Sequence, residues 1–178
     1  MILDGMLYFT ENVGQVEERC EFYISSPDIN VLFFHDRVIF LLRSSNGTER
    51  VTLPLDIRTM DSYEEQGEIF LEAKDKKEFS INYMVGPQKE WLRNIPVYER
   101  LCYHNVCDGI DIEFYLEDNR LKQDFIIYPG AKIEDLRLEF KGQKSIQKNH
   151  PGEIKLVGTH KSFTLRTHYN FLSNAASQ

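Results

Sequence analysis

Three carboxylates near the middle of the chain have the types and spacing for chemistry: Asp111, Glu113 and Asp124. Asp111 and Glu113 are two residues apart, which puts both on one face of a β-strand. The polar stretch Glu117-Asp118-Asn119-Arg120 reads as a tight turn, and Asp124 lies on the returning strand. If Leu116 faces Leu121 across that turn, Glu113 faces Asp124 and Phe114 faces Gln123. The hairpin then has one apolar face and one acidic face. Carboxylates on neighbouring strands can hold Ca²⁺, which takes roughly six to eight oxygen ligands. They can also act as the acid and base of glycoside hydrolysis, which needs two carboxyls about 5–10 Å apart. The plainer reading is a solvated face balanced by Lys122 and other basic residues, because surface charge is the default for Asp and Glu. A slip of one residue in register undoes the pairing.

A second group is aromatic. Trp91, Tyr98 and Tyr103 at the rim of a β-structure can stack on sugar faces or anchor a protein partner. Against this, the sole Trp of a chain commonly plugs the core, or here pins the loop from 91 to 96. The histidines (His35, His104, His150, His160 and His168) show no helical HxxxH spacing and read as ordinary turn or surface residues. The three cysteines, Cys20, Cys102 and Cys107, are odd in number and contain no CxxC, so neither a zinc site nor a redox motif is indicated. Cys102 and Cys107 are five apart, on opposite faces of a regular strand, and read as buried or half-buried thiols. There is no G-x-S-x-G elbow, P-loop or G-x-G-x-x-G. These residues suggest no catalytic centre, no metal and no cofactor, and the chain is expected not to be an enzyme.

The elements that must position these groups are strands. Phe (12) and Tyr (9) are abundant in a chain of 178 residues, which favours β-structure. Period-two patterning and turn signals place strands at residues 7–10, 21–24, 30–35, 37–43, 49–55, 67–72, 79–83, 97–103, 109–116, 121–128, 136–140, 145–148, 153–157 and 162–168. One helical turn is expected near 87–92. Pro54 and Pro96 suit strand edges or ends. Residues 60–77 are the most polar and read as a long loop around one edge strand, with Lys74-Asp75-Lys76-Lys77 as a solvated turn. The expectation is all-β: a mainly antiparallel two-sheet β-sandwich, supersandwich-like, as a single domain over residues 1–172. Residues 173–178 read as a disordered tail or the start of a linker.

Charge narrows the partners. A net charge of −7 with no dense Lys/Arg run argues against nucleic acid and anionic membranes. No stretch approaches the roughly 20 apolar residues of a membrane helix, so no membrane insertion is expected. The N-terminus has no charged n-region or long h-region, so it does not read as a signal peptide.

Five motifs in order carry a resemblance. They are Tyr8-Phe9-Thr10-Glu11-Asn12-Val13-Gly14-Gln15, Asn82-Tyr83-Met84-Val85-Gly86, Trp91-Leu92-Arg93-Asn94-Ile95-Pro96-Val97-Tyr98, Tyr103-His104-Asn105-Val106-Cys107-Asp108-Gly109-Ile110-Asp111, and Asp124-Phe125-Ile126-Ile127-Tyr128-Pro129-Gly130-Ala131. From about Tyr8 to about Tyr169 the chain resembles the N-terminal domain of bacterial cell-surface proteins that carry SBBP (β-propeller) repeats. It departs from that pattern where Arg93 stands for a usual Thr and Cys107-Asp108 for Tyr-Pro. The resemblance implies an exported, non-catalytic, extracellular module with a structural or protein-interaction role. Its partners would be the downstream repeat domains of the same parent protein or another surface protein. The alternative is a carbohydrate-binding module that takes a glycan on its rim aromatics, with Ca²⁺ on the acidic face. A glycan-active hydrolase using Asp111, Glu113 or Asp124 ranks below both.

Overall fold

The alternating residues do form strands. The computed structural model describes residues 6–16, 18–55, 68–132, 136, 138–148 and 150–172. The tail at 173–178, and the part of the polar loop between 60 and 67, lie outside them. The strands are β1 (Phe9–Glu11), β2 (Phe22–Ser25), β3 (Ile29–Phe33), β4 (Arg37–Ser44), β5 (Gly47–Pro54), β6 (Phe70–Tyr83), β7 (Leu92–Cys107), β8 (Ile110–Glu117), β9 (Arg120–Ile127), β10 (Ser145–Lys148), β11 (Glu153–Val157) and β12 (Ser162–Phe171). A 3₁₀ turn, Gln88–Glu90, falls where the helical turn is expected. Among the described residues no helix is long and apolar enough to cross a membrane.

β7 is the spine. It is sixteen residues long, and β6 occupies one of its edges from Leu92 to His104. The other edge therefore serves two arms. Val97 and Tyr98 pair with β1, and residues from Arg100 onward pair with β8. One arm runs β1-β2-β3-β4-β5 as an antiparallel meander, and the other runs β8-β9-β12-β11-β10. All pairings are antiparallel except β9 with β12. The expected two-sheet sandwich is thus overturned: the strands form one twelve-stranded sheet, curled into a half-barrel. The reason is the continuity of β7 through Pro96. That residue lies outside the β1 and β8 pairings, so its missing N–H removes no bond on that edge.

The curl brings the inner faces of the two arms together. Phe33 meets Phe114 with ring centroids 5.5 Å apart, and Phe40 meets Phe163 at 5.4 Å. One contiguous core joins Phe9, Val31, Phe40 and Val51 of the first arm to Ile112, Phe125, Leu156 and Leu165 of the second. The arms also touch at their far ends, where Thr52 and Lys141 exchange two 2.8 Å backbone hydrogen bonds. Gly142 beside this bridge has φ +99°, and a Cβ there would lie 2.3 Å from the carbonyl oxygen of Arg50. Only glycine allows that approach.

Two local readings change. The polar run 74–77 is no turn. It lies inside β6, where Asp75 takes a positive φ of 55° and the register to β7 shifts between Lys76 and Ser80. A turn-like composition has become a bulge. The described part of 136–140 is not a strand, though Phe140 is buried against Phe40.

Candidate functional site

The β8–β9 hairpin turns on Asp118 and Asn119, both at positive φ, as a tight two-residue hairpin turn requires. This fixes the register: Leu116 opposite Leu121, Phe114 opposite Gln123, Glu113 opposite Asp124. Phe114, Leu121 and Phe125 enter the core. Asp111, Glu113 and Asp124 share the opposite, outer face with alternate residues of β7.

Each of the three carboxylates is held by protein groups. Asp111 is only 4% exposed. Its Oδ1 accepts the backbone N–H of Asn105 at 3.0 Å, and its Oδ2 lies 2.7 Å from His104 Nδ1 and accepts the Tyr128 hydroxyl at 3.1 Å. Glu113 accepts Arg100 at 2.8 Å, and Arg100 also reaches Asp75 and lies over the Tyr115 ring. Asp124 accepts the Tyr115 hydroxyl at 3.2 Å and the Asn170 amide at 2.8 Å, with His168 at 3.3 Å. A polar ladder thus crosses β6, β7, β8, β9 and β12. A glycosidase pair needs one carboxyl positioned to give up a proton and the other free to attack or activate water. Here Glu113 and Asp124 sit directly opposite one another, but both are bound to their own donors.

The histidine at the end of this ladder escaped the sequence reading. His104 Nε2 lies 2.9 Å from Glu72, so both ring nitrogens face carboxylates. Phe70 stacks on the ring at 4.5 Å between centroids. The hydrogen bond to His104 holds the Glu72 carboxyl below the usual carboxylate range. Cys102 is also in contact, with Sγ 3.9 Å from His104 Nδ1. Burial pushes the Cys102 thiol up to about 11, although the Lys74 ammonium beside it pulls the other way. Cys102 Sγ, His104 Nδ1 and an Asp111 oxygen lie within 4.8 Å of one another. The signal was present in the sequence: Cys102 and His104 are two apart on one strand, and that spacing puts both side chains on one face. Helical and CxxC spacings do not detect it.

The thiols give a direct check on this packing. None is in a disulfide, Cys20 and Cys102 are buried, and Cys107 is half-buried. Burial also pushes Cys20 up to about 11. Brief iodoacetamide treatment near neutral pH is expected to alkylate Cys107 well before the other two, which react only on unfolding. Peptide mass spectrometry reads the order, and early labelling of Cys102 would contradict the buried ladder.

The aromatic candidates do not form one platform. Tyr103 is wholly buried in the core, its hydroxyl donating to the Phe34 carbonyl at 2.7 Å. Tyr98 packs edge-on against Phe22, with ring centroids 5.6 Å apart. Trp91 is half-buried after the 3₁₀ turn. Its Nε1 donates to the Gly86 carbonyl at 3.1 Å, and the Arg93 guanidinium lies 5.7 Å from its ring centre. A groove of about 930 Å³ opens elsewhere, between the β2–β3 and β8–β9 turns. Ile24, Ile29, Leu121 and Phe163 line it with Arg43 and Arg120, and none of the six candidates does.

Comparison with known proteins adds one finding. The family described as a domain of unknown function, DUF7948, matches residues 9–175, and the chain belongs to that family. No curated protein and no solved structure matches it.

Proposed function

We propose that this member of the DUF7948 family is a non-catalytic structural and protein-interaction module. In this reading it belongs to a bacterial cell-surface protein and packs on the SBBP repeat domains of its parent chain, or on another surface protein. The observation that carries the reading is an exposed apolar strip at the end of β6. Phe79 and Tyr83 are each 39% exposed, Met84 52% and Val85 57%. Among the described residues β6 pairs only with β7, so the strip adjoins an open strand edge. Exposed apolar side chains close together in the chain offer a partner surface to bury, although Phe79 already packs edge-on against Tyr8 at 5.2 Å. The charged bulge at Asp75–Lys77 interrupts the edge and opposes its pairing with copies of itself. The five ordered motifs supply the bacterial-surface part of the proposal. A sugar platform is less well supported, because Tyr103 is buried and Trp91 carries Arg93 beside its ring.

Hydrogen exchange tests the proposal by comparing this domain alone with the same domain joined to its repeat region. Amides of residues 79–85 are expected to exchange more slowly in the joined protein. The double substitution Met84→Asp, Val85→Asp is expected to abolish that difference. It should leave the stability of the isolated domain within about 0.5 kcal/mol, as exposed substitutions do. Equal exchange in both contexts would sink the docking reading.

A further inference from the structure

We propose that Cys102, His104 and Asp111 form a binding site for a thiophilic divalent metal ion of the zinc type. The ligands would be the Cys102 thiolate, His104 Nδ1 and one Asp111 carboxylate oxygen. The site is independent of the docking strip on β6 and does not rest on it.

Donor chemistry and placement carry the inference. Sulfur, imidazole nitrogen and carboxylate oxygen are the three donor types that zinc takes. All three come from paired strands rather than from loops: two from β7, one from β8. The donor atoms lie within 4.8 Å of one another, with Sγ to Nδ1 at 3.9 Å and Nδ1 to Oδ2 at 2.7 Å. Zinc bond lengths in a tetrahedron set donors about 3.3–3.6 Å apart. The first distance is slightly long, the second short, and Sγ and the Asp111 oxygen, within 4.8 Å of each other, must also draw together, so side-chain adjustments of up to about an ångström accommodate the ion.

The surroundings fit as well. A metal-bound histidine usually donates its other ring N–H to a carboxylate, which fixes the tautomer. Glu72 is placed for this, 2.9 Å from Nε2. Asp111 is oriented by the Asn105 N–H and the Tyr128 hydroxyl, and the His104 ring by the Phe70 stack. Asn105 itself has φ 58°, within the interval between Tyr103 and Cys107 where the β7–β8 register shifts. That irregularity turns the Asn105 N–H toward Asp111, and such bulges recur beside functional sites. Cys102 and Asp111 are buried, whereas the His104 side chain is 18% exposed and Glu72 48%. Access is therefore from the Glu72 side, and a fourth coordination position is left for water.

The charge balances. Without metal, the groups that face these donors are Glu72, Lys74, Glu113 and Tyr128, and Lys74 supplies a cation between Glu72 and Cys102. Binding M²⁺ forms bonds to sulfur, to Nδ1 and to an Asp111 oxygen, and releases the thiol proton and the hydrogen between Nδ1 and Asp111. Two positive charges enter as two leave. Lys74, on the edge strand and one-third exposed, can turn outward.

Co²⁺ tests this on the reduced 178-residue chain, because it replaces zinc and reports its ligands optically. The expected result is one Co²⁺ per chain with a thiolate-to-cobalt charge-transfer band, displaced by Zn²⁺. Cys102→Ser should remove the band and Cys107→Ser should keep it. Glu72→Gln, an exposed change outside the ligand set, should weaken binding about 10- to 100-fold, as loss of a carboxylate partner to a metal-bound histidine does. Because Cys102→Ser can fail to fold, Glu72→Gln gives a second decision. The proposal is overturned if the folded wild type shows no charge-transfer band, if the band survives Cys102→Ser, or if Glu72→Gln binds as wild type.

Discussion

Phe114→Ala is expected to destabilise the domain by about 3–5 kcal/mol, in the range for deleting a buried aromatic ring. Phe114 sits where the two arms of the sheet meet. It is fully buried, with its ring edge-to-face against Phe33 of the first arm at 5.5 Å and against Tyr103 of the spine at 6.0 Å. Phe33 in turn packs on Phe9 at 5.3 Å. The ring therefore touches both arms and the strand that joins them, and little nearby can collapse into the space without shifting β7. Urea unfolding followed by circular dichroism reads the result. The midpoint is expected to fall with an unchanged slope and a single transition. Two separate transitions would mean that the arms are independent sheets and that the continuity of β7 does not unite them.

Much of this architecture was readable and one decisive part was not. The β8–β9 register was readable because two local signals agree: the Asp118-Asn119 turn and strict alternation from Ile110 to Leu116. The single sheet was not, because the sequence marks Pro96 and the run 74–77 as breaks. Both lie within strands, one beyond the reach of the β1 and β8 pairings and one in a bulge. A break in local preference is overridden when the partner strand shifts register to absorb it. The outer-face ladder was half readable. Asp111, Glu113 and Asp124 follow from hairpin parity alone. Glu72 does not, because it reaches His104 from a strand thirty-two residues earlier, and the mostly exposed β6 shows no alternation that would set its register. His104 was overlooked for a different reason: its signal was the two-residue step from Cys102, which carries meaning only on a strand.

Asp111→Ala, measured with a chelator present so that no metal contributes, is expected to cost about 1–3 kcal/mol, the loss seen when buried hydrogen-bond donors are left without their acceptor. Three donors converge on this one carboxylate: the Asn105 N–H, the Tyr128 hydroxyl and His104. Alanine leaves all three without this acceptor; the Asp111 position is almost wholly shielded from water, whereas Tyr128 is exposed and the His104 side chain 18% exposed, so these two can turn to water. Asp111→Asn should cost less, about 0.5–1.5 kcal/mol. The amide oxygen can still accept from Asn105, but its NH₂ cannot replace the second carboxylate oxygen toward both His104 and Tyr128. The pair of variants separates charge from shape. A cycle with His104→Gln measures the coupling, expected above about 1 kcal/mol for residues in direct contact within one network. If Asp111→Ala costs less than about 1 kcal/mol, Asp111 is a solvated surface acid and does not organise the ladder. If the loss is large and the coupling to His104 strong, the sheet holds its most polar side chains in fixed positions without a ligand. That rigidity is what a binding face assembled from strands needs before any ligand arrives.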